Sequence, residues 1–134
     1  MTRPLIRKEI DAFFSSQEDR INLYNATEDL IKSLGPLTID ITKSQISFGT
    51  KYKFAWVWLP PDSTGKRPKN SLVLSFGLGH RVESQQIVEA VESYPGRWTH
   101  HIIIQEEADL NTNVRKWLKQ AYAYSQAREK NNKK

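Results

Sequence analysis

The sequence predicts an α+β domain with two layers, in which N-terminal and C-terminal helices pack on one face of a mainly antiparallel, five-stranded sheet. Segments with the 3.6-residue apolar period of a helix lie near the two ends of the chain, and segments with alternating apolar residues lie between them. Short turns join the strand-like segments, and strands joined in this way pair antiparallel. These observations together predict the fold class.

Two helices are predicted before the first strand. The first covers residues 6–14, where apolar side chains recur on one side. The second begins after Ser16, which suits an N-cap, and runs to about Leu34. Gly35 and Pro36 end it, because glycine accepts a left-handed backbone and proline cannot continue a helix.

The middle of the chain predicts the sheet. Two proline residues end the third strand and begin a loop rich in Pro, Gly, Ser and Lys over residues 60–70. Ser84 predicts the cap of a short helix to about Tyr94, followed by a turn at Pro95 and Gly96. The five predicted strands cover residues 38–42, 45–48, 51–59, 71–76 and 98–105, and a long helix follows from about residue 108.

Composition limits the classes of function. The chain has 134 residues, a net charge of +5 and no cysteine, which excludes disulfides, thiolate catalysis and cysteine-ligated zinc. We expect one domain over residues 1–127 and a basic, disordered tail over residues 128–134. No apolar run approaches the ~20 residues of a membrane span, and the first residues do not have the pattern of a secretory signal. We therefore expect a cytoplasmic protein with no membrane partner.

Three motifs, in order along the chain, resemble a known family. They are KSQISF over residues 43–48, FAWVWLP over residues 54–60 and YPGRWTHH over residues 94–101. The chain resembles a bacterial domain-of-unknown-function family, family 5655, over roughly residues 20–125. The resemblance implies no established activity, cofactor or catalytic residue. Members also occur joined to nuclease-like domains, which implies a nucleic-acid context by association only.

The third strand contains an aromatic stripe. Strand alternation predicts Tyr52, Phe54, Trp56 and Trp58 on one face, with Lys51, Lys53, Ala55, Val57 and Leu59 on the other. One hypothesis is a platform on which bases stack beside lysines. The alternative is that the rings pack under the helices, because exposing four large rings to water is costly.

The adjacent histidines, His100 and His101, point to opposite faces of a strand and therefore do not share a metal ion. We expect one buried and one surface histidine and no metal site, although a role in ligand binding or proton transfer remains an alternative. Gly77 and Gly79 indicate a turn, and we place Arg81 and Arg97 at the mouth of a pocket.

These observations favour a non-enzymatic binding module that acts near nucleic acid and needs no cofactor. The expected ligand-binding residues are Tyr52, Trp56, Trp58, Lys51, Lys53, Arg81, Arg97, His100 and His101. One alternative is a protein-interaction or small-ligand-binding domain without nucleic acid, and a second is an enzyme that uses His100 or His101 as an acid or base. The sequence does not give the oligomeric state.

Overall fold

The computed structural model describes the backbone of residues 4–14, 18–59 and 71–132, and the side chains of residues 8–14, 18–59 and 71–127. The predicted cap at Ser16 and the predicted loop over residues 60–70 lie outside these ranges. The described elements are α1 (Pro4–Phe13), α2 (Glu18–Lys32), β1 (Thr38–Ile41), β2 (Ile46–Gly49), β3 (Lys53–Trp58), β4 (Leu72–Leu78), β5 (Ile87–Tyr94), β6 (Arg97–Ile104), a 3-10 turn (Glu107–Asp109) and α3 (Thr112–Asn132). Among the described helices, none is both long and apolar enough to cross a membrane.

The strands form one sheet in the order β1-β2-β3-β4-β6-β5, and every neighbouring pair is antiparallel. The mixed α and β composition agrees with the prediction. The predicted number of strands is wrong, because the described sheet has six strands and not five.

The sixth strand is β5, which lies where the sequence predicted a short helix from Ser84 to Tyr94. Most side chains of β5 are exposed, because it is an outer strand of the described sheet. Its pairing with β6 also shifts register twice, so apolar side chains do not alternate cleanly along it. The predicted turn at Pro95 and Gly96 is confirmed, and Gly96 has a φ of 76°, which closes the β5–β6 hairpin.

One face of the sheet is apolar, and α2 and α3 contact it in the core. Facing residues on neighbouring strands build it in rows, such as Phe48, Ala55 and Phe76. The Tyr24 ring of α2 stacks on Phe48, with centroids 6.4 Å apart, and the Trp117 ring of α3 stacks on Phe76, at 5.7 Å. Helix α3 lies against β3 and β4, and this contact sets its position over the middle of the sheet.

A β-bulge between β2 and β3 changes which face the aromatic side chains occupy. Phe48 pairs with Ala55, but Gly49 pairs with Lys53, so Phe54 is an extra residue without a partner on β2. Phe54 is buried and contacts the Tyr122 ring of α3, with centroids 5.4 Å apart. The prediction that Phe54 shares a face with Trp56 and Trp58 is therefore wrong, because unbroken alternation does not allow for a bulge.

Candidate functional site

A pocket with a volume of about 530 Å³ opens at one end of the sheet. The start of β3, the end of β4, the β5–β6 hairpin and the middle of α3 surround it. We call it the sheet-end pocket. Its lining residues are Lys51, Tyr52, Lys53, Phe54, Trp56, Gly77, Leu78, Ser93, Tyr94, Arg97, Trp98, Thr99, Tyr124 and Ser125.

Helix α3 holds the walls of the sheet-end pocket together. The Tyr124 hydroxyl donates to the backbone carbonyl of Gly96, at 3.5 Å, which connects α3 to the β5–β6 hairpin. On the other wall, the Thr50 and Ser125 hydroxyl oxygens lie 3.4 Å apart. These contacts join the helix to the segments before β3 and between β5 and β6, and so keep the pocket open between them.

The sheet-end pocket carries positive charge. Lys51, Lys53 and Arg97 line it, and no Asp or Glu belongs to its described lining. The Arg97 guanidinium lies over the Tyr94 ring, 5.5 Å from its centroid, and the Lys51 ammonium lies 5.9 Å from the centroid of Tyr52. The pocket therefore combines cations with aromatic surfaces, a pairing that suits an anionic ligand with a planar group.

Gly77 enlarges this pocket because it has no side chain. It lies within β4, pairs with Thr99 on β6 and lines the pocket. A Cβ atom built at Gly77 meets nothing within 4 Å, whereas one built at Gly79 lies 2.9 Å from the Tyr124 ring. A side chain at position 77 would thus enter the cavity rather than strike the protein.

The second site is a shallow depression of about 390 Å³ on the face opposite the core. We call this face the tryptophan face, because Trp56 and Trp58 lie on it. The depression adjoins the sheet-end pocket, since Trp56 and Thr99 line both. Its complete lining is Ser44, Gln45, Trp56, Trp58, Ser75, Thr99 and His101.

A polar row crosses the tryptophan face because the strands are in register. Trp56 pairs with Ser75, Ser75 pairs with His101, and His101 pairs with Glu89. The Trp58 indole N–H donates to Ser75 Oγ at 2.9 Å, and Ser75 Oγ lies 2.6 Å from His101 Nδ1. His101 Nε2 lies 4.0 Å from Glu89 Oε1. Four neighbouring strands therefore contribute to one connected polar site.

His100 lies on the core side of β6. Its ring is fully buried, stacks on Phe76 with centroids 5.0 Å apart and accepts the backbone N–H of Val82 at Nε2, at 2.9 Å. Burial lowers the pKa of His100; the Phe76 carbonyl acts in the opposite direction, and nearby positive groups lower the pKa further. Among the described residues, none forms a hydrogen bond with His100 Nδ1. His100 is therefore a neutral core residue that does not face either cavity.

The structure gathers most of the predicted binding residues into the two adjoining cavities. Lys51, Tyr52, Lys53, Trp56 and Arg97 line the sheet-end pocket, and Trp56, Trp58 and His101 line the depression.

The bulge places Lys53 on the tryptophan face, where its ammonium lies 3.7 Å from the Asp40 carboxylate. The prediction that Lys53 and Trp56 lie on opposite faces is therefore wrong. Arg81 lines neither described cavity: it pairs with Glu83 at 3.7 Å and lies over the Trp98 ring. His100 lies in the core, so the two predicted residues His100 and His101 are separated by the sheet.

Several site residues were not identified from the sequence. Trp98, Tyr124 and Gly77 line the sheet-end pocket, and Ser75 and Glu89 belong to the polar row. The sequence predicts a turn at Gly77, after the strand predicted over residues 71–76, whereas Gly77 lies within β4, where a glycine leaves space on the sheet. The pairing of Ser75 with His101 depends on the register between β4 and β6, which no local pattern reveals. Among the described residues, no three His, Cys, Asp or Glu side chains form a group able to hold a metal ion.

Comparison with known proteins gives one match. The model of a family described as a domain of unknown function (DUF5655) matches residues 10–125. No curated protein and no solved structure matches the chain significantly. The matched segment includes both cavities and every element from α2 to the middle of α3.

Proposed function

The chain belongs to the DUF5655 family, whose function is unknown, and from the geometry of its site we propose that the domain binds single-stranded nucleic acid. The sheet-end pocket and the adjoining depression form the proposed binding surface. The observation that carries the proposal is the lining of the pocket, where three cations and several aromatic rings meet and no Asp or Glu is among the described lining residues; the Asp40 carboxylate lies outside the lining, 3.7 Å from Lys53.

Each part of the pocket suits one part of a nucleotide. Its volume of about 530 Å³ lies within the range of small-ligand pockets, so it has room for an unpaired base. Aromatic side chains bind bases by stacking, and lysine and arginine bind the phosphates that connect them. Trp56 is half-buried and lines both cavities. A single-stranded nucleic acid that crosses Trp56 therefore contacts both cavities.

The shape of the surface favours single strands over duplex. In a duplex the flat sides of the bases are stacked on one another and are not available to protein rings. A concave pocket with rings on several walls therefore contacts a base only when that base is unpaired. Electrostatic attraction to a duplex remains, but without the stacking contribution.

The test is a titration of intrinsic tryptophan fluorescence with a single-stranded 12-mer and with the same sequence as a duplex, at ~50 mM salt. We expect quenching and tighter binding with the single strand. Trp56→Leu should weaken binding by about 5- to 150-fold, the effect of losing one stacked base at ~1–3 kcal/mol. Val88→Ala is the control, because Val88 is an exposed apolar residue outside both cavities.

Three outcomes would contradict the proposal. Equal affinity for single strand and duplex indicates attraction by charge alone. Affinity for AMP equal to that for the 12-mer indicates a pocket for a small ligand, which is the alternative that the sequence left open. No change in fluorescence or in a parallel ultracentrifugation experiment removes nucleic acid as the ligand.

A further inference from the structure

In the polar row on the tryptophan face, the hydrogen bonds determine which groups donate and which accept. The Trp58 indole N–H can only donate, so Ser75 Oγ accepts this hydrogen bond. Ser75 is 2% exposed, and its hydroxyl proton needs an acceptor. His101 Nδ1, at 2.6 Å, is that acceptor. The imidazole proton of neutral His101 is therefore on Nε2.

The orientation of the His101 ring is also fixed. The ring meets the Trp58 ring edge-to-face, with centroids 5.7 Å apart and planes at 90°. Ser75 holds the ring at Nδ1, and the Trp58 ring packs perpendicular to it. A ring held in this way presents the Nε2–H group in one direction, which reduces the entropy lost when a ligand binds.

Nε2–H and the Glu89 carboxylate form a pair of unlike hydrogen-bonding groups. They lie 4.0 Å apart, which is longer than a direct hydrogen bond. The His101 side chain is 19% exposed and the Glu89 side chain is 62% exposed, so a ligand can reach both. A complementary ligand edge has an acceptor for Nε2–H beside one or two donors for the carboxylate.

We infer that His101 and Glu89 recognise the Watson–Crick edge of guanine in the bound strand, an assignment that rests on the function proposed above. Guanine O6 accepts from Nε2–H, and guanine N1–H and the N2 amino group donate in parallel to the carboxylate. The ring of the base lies in the depression that Trp56 and Trp58 border. Ser75 is a positioning residue, because it acts only through the tautomer of His101.

The other bases fit this edge less well. Adenine offers one donor, its N6 amino group, beside one acceptor, so the carboxylate gains one hydrogen bond instead of two. Uracil and thymine have N3–H between two carbonyl oxygens, and one of these oxygens faces the carboxylate. Cytosine has a single donor beside two acceptors. The expected order of affinity is guanine first, adenine second and the pyrimidines last.

The experiment uses uridine hexamers with one central G, inosine, A or C, and measures each affinity by tryptophan fluorescence with the full chain. We expect the G hexamer to bind about 5- to 150-fold more tightly than the all-U hexamer, the discrimination of one good bidentate contact. Inosine lacks the N2 amino group of guanine and should lose a large part of this preference. Equal affinities for all hexamers would overturn the guanine assignment and leave the proposed single-strand function intact.

Variants separate recognition from general binding. Glu89→Gln should reduce the preference for G over the all-U hexamer to less than threefold. Glu107→Gln is the matched control, because Glu107 is an exposed carboxylate that lines neither the sheet-end pocket nor the depression. A preference for G that survives Glu89→Gln would refute the role of Glu89.

The positioning role of Ser75 has its own readout. The ¹⁵N chemical shifts of the His101 ring should show the Nε2-protonated tautomer in the wild type and a mixture of tautomers in Ser75→Ala. Ser75→Thr keeps a hydroxyl group and should retain both the tautomer and the preference for G. The Nδ1-protonated tautomer in the wild type would overturn the assignment. So would failure to bind any hexamer, which would remove the proposed function as well.

Free GMP is the last arm of the test. Weak binding of GMP beside tight binding of the G hexamer agrees with a base read within a strand. GMP affinity equal to that of the hexamer would keep the recognition of guanine but overturn the polymer as the ligand.

Discussion

Three cations line the sheet-end pocket, and the salt dependence of binding measures how many of them meet phosphate. For single strands, the slope of log K against log salt concentration is about −0.7 for each phosphate neutralised. Contacts from Lys51, Lys53 and Arg97 therefore give a slope near about −2.1, and affinity should fall about 18-fold between ~50 and ~200 mM salt. Replacing one cation with glutamine should change the slope to about −1.4 and the loss to about 7-fold.

The three cations are not equivalent, and the structure gives the reason. Lys53 lies 3.7 Å from the Asp40 carboxylate, which is 64% exposed. Lys53→Gln removes a cation and also leaves Asp40 unneutralised near the bound phosphates, so its affinity loss should exceed that of Lys51→Gln. Arg97→Lys should keep the slope but lose the planar contact with Tyr94, which contributes about 0.5–1 kcal/mol at an exposed site.

The assay is the same fluorescence titration at four or more salt concentrations. Lys119→Gln is the control for loss of one positive charge, because Lys119 is exposed on α3 outside both cavities. A second variant replaces the four tail cations, Arg128, Lys130, Lys133 and Lys134, with glutamine. A third variant replaces Lys51, Lys53 and Arg97 together with glutamine. A slope that is unchanged in this variant but becomes shallower in the tail variant would refute the reasoning, because the phosphates would then meet the tail and not the pocket.

Three further predictions concern single residues. Gly77→Val should abolish oligonucleotide binding, because the new side chain enters the cavity. The free energy of unfolding by urea should change by less than about 1 kcal/mol. Retained affinity would show that the ligand binds elsewhere. Gly49→Ala should destabilise the fold by about 1–3 kcal/mol in the same assay, because its Cβ would lie 2.8 Å from the Tyr52 carbonyl oxygen; unchanged stability would contradict the bulge geometry. Burial lowers the pKa of His100. Below about pH 6.5 the unfolded chain therefore binds a proton that the folded chain does not. The free energy of unfolding should decrease as the pH is lowered, by at most about 1.4 kcal/mol per pH unit. His100→Gln should remove this part of the pH dependence; equal pH profiles for the wild type and His100→Gln would contradict the argument.

Local patterns in the sequence predicted most elements of this fold. Helices α2 and α3 and five of the six strands lie within a few residues of their predicted positions, because their apolar side chains face one core. Strand β5 was not predicted, because most of its apolar side chains do not face the core. Val88, Val91 and Tyr94 are 53%, 41% and 64% exposed, so the strand does not show the apolar alternation that marks a buried face. Its stability depends on pairing with β6, which is not a local property.

The candidate site was only partly predictable. The aromatic and basic residues of β3 were identified, but their distribution over two faces depends on the bulge at Gly49. A Cβ atom at Gly49 would lie 2.9 Å from the Lys53 Cα atom, which explains why glycine is present there. Strand alternation assumes one residue for one residue across the pair, so a single extra residue reverses every side chain before it. Phe54 thus enters the core, and Lys53 lies on the tryptophan face.

The same hydrogen bonds that stabilise the tryptophan face also prepare it for a ligand. Trp58 is half-buried, and its N–H group is satisfied by Ser75, so the indole is held in place without a ligand. Trp58→Phe would keep an aromatic ring but leave Ser75 without its donor, and the serine proton would then have more than one orientation. Loss of that single hydrogen bond would disturb the His101 tautomer through Ser75, which hydrogen-bonds to both side chains. Stability of the sheet and orientation of the recognition edge therefore depend on the same three side chains.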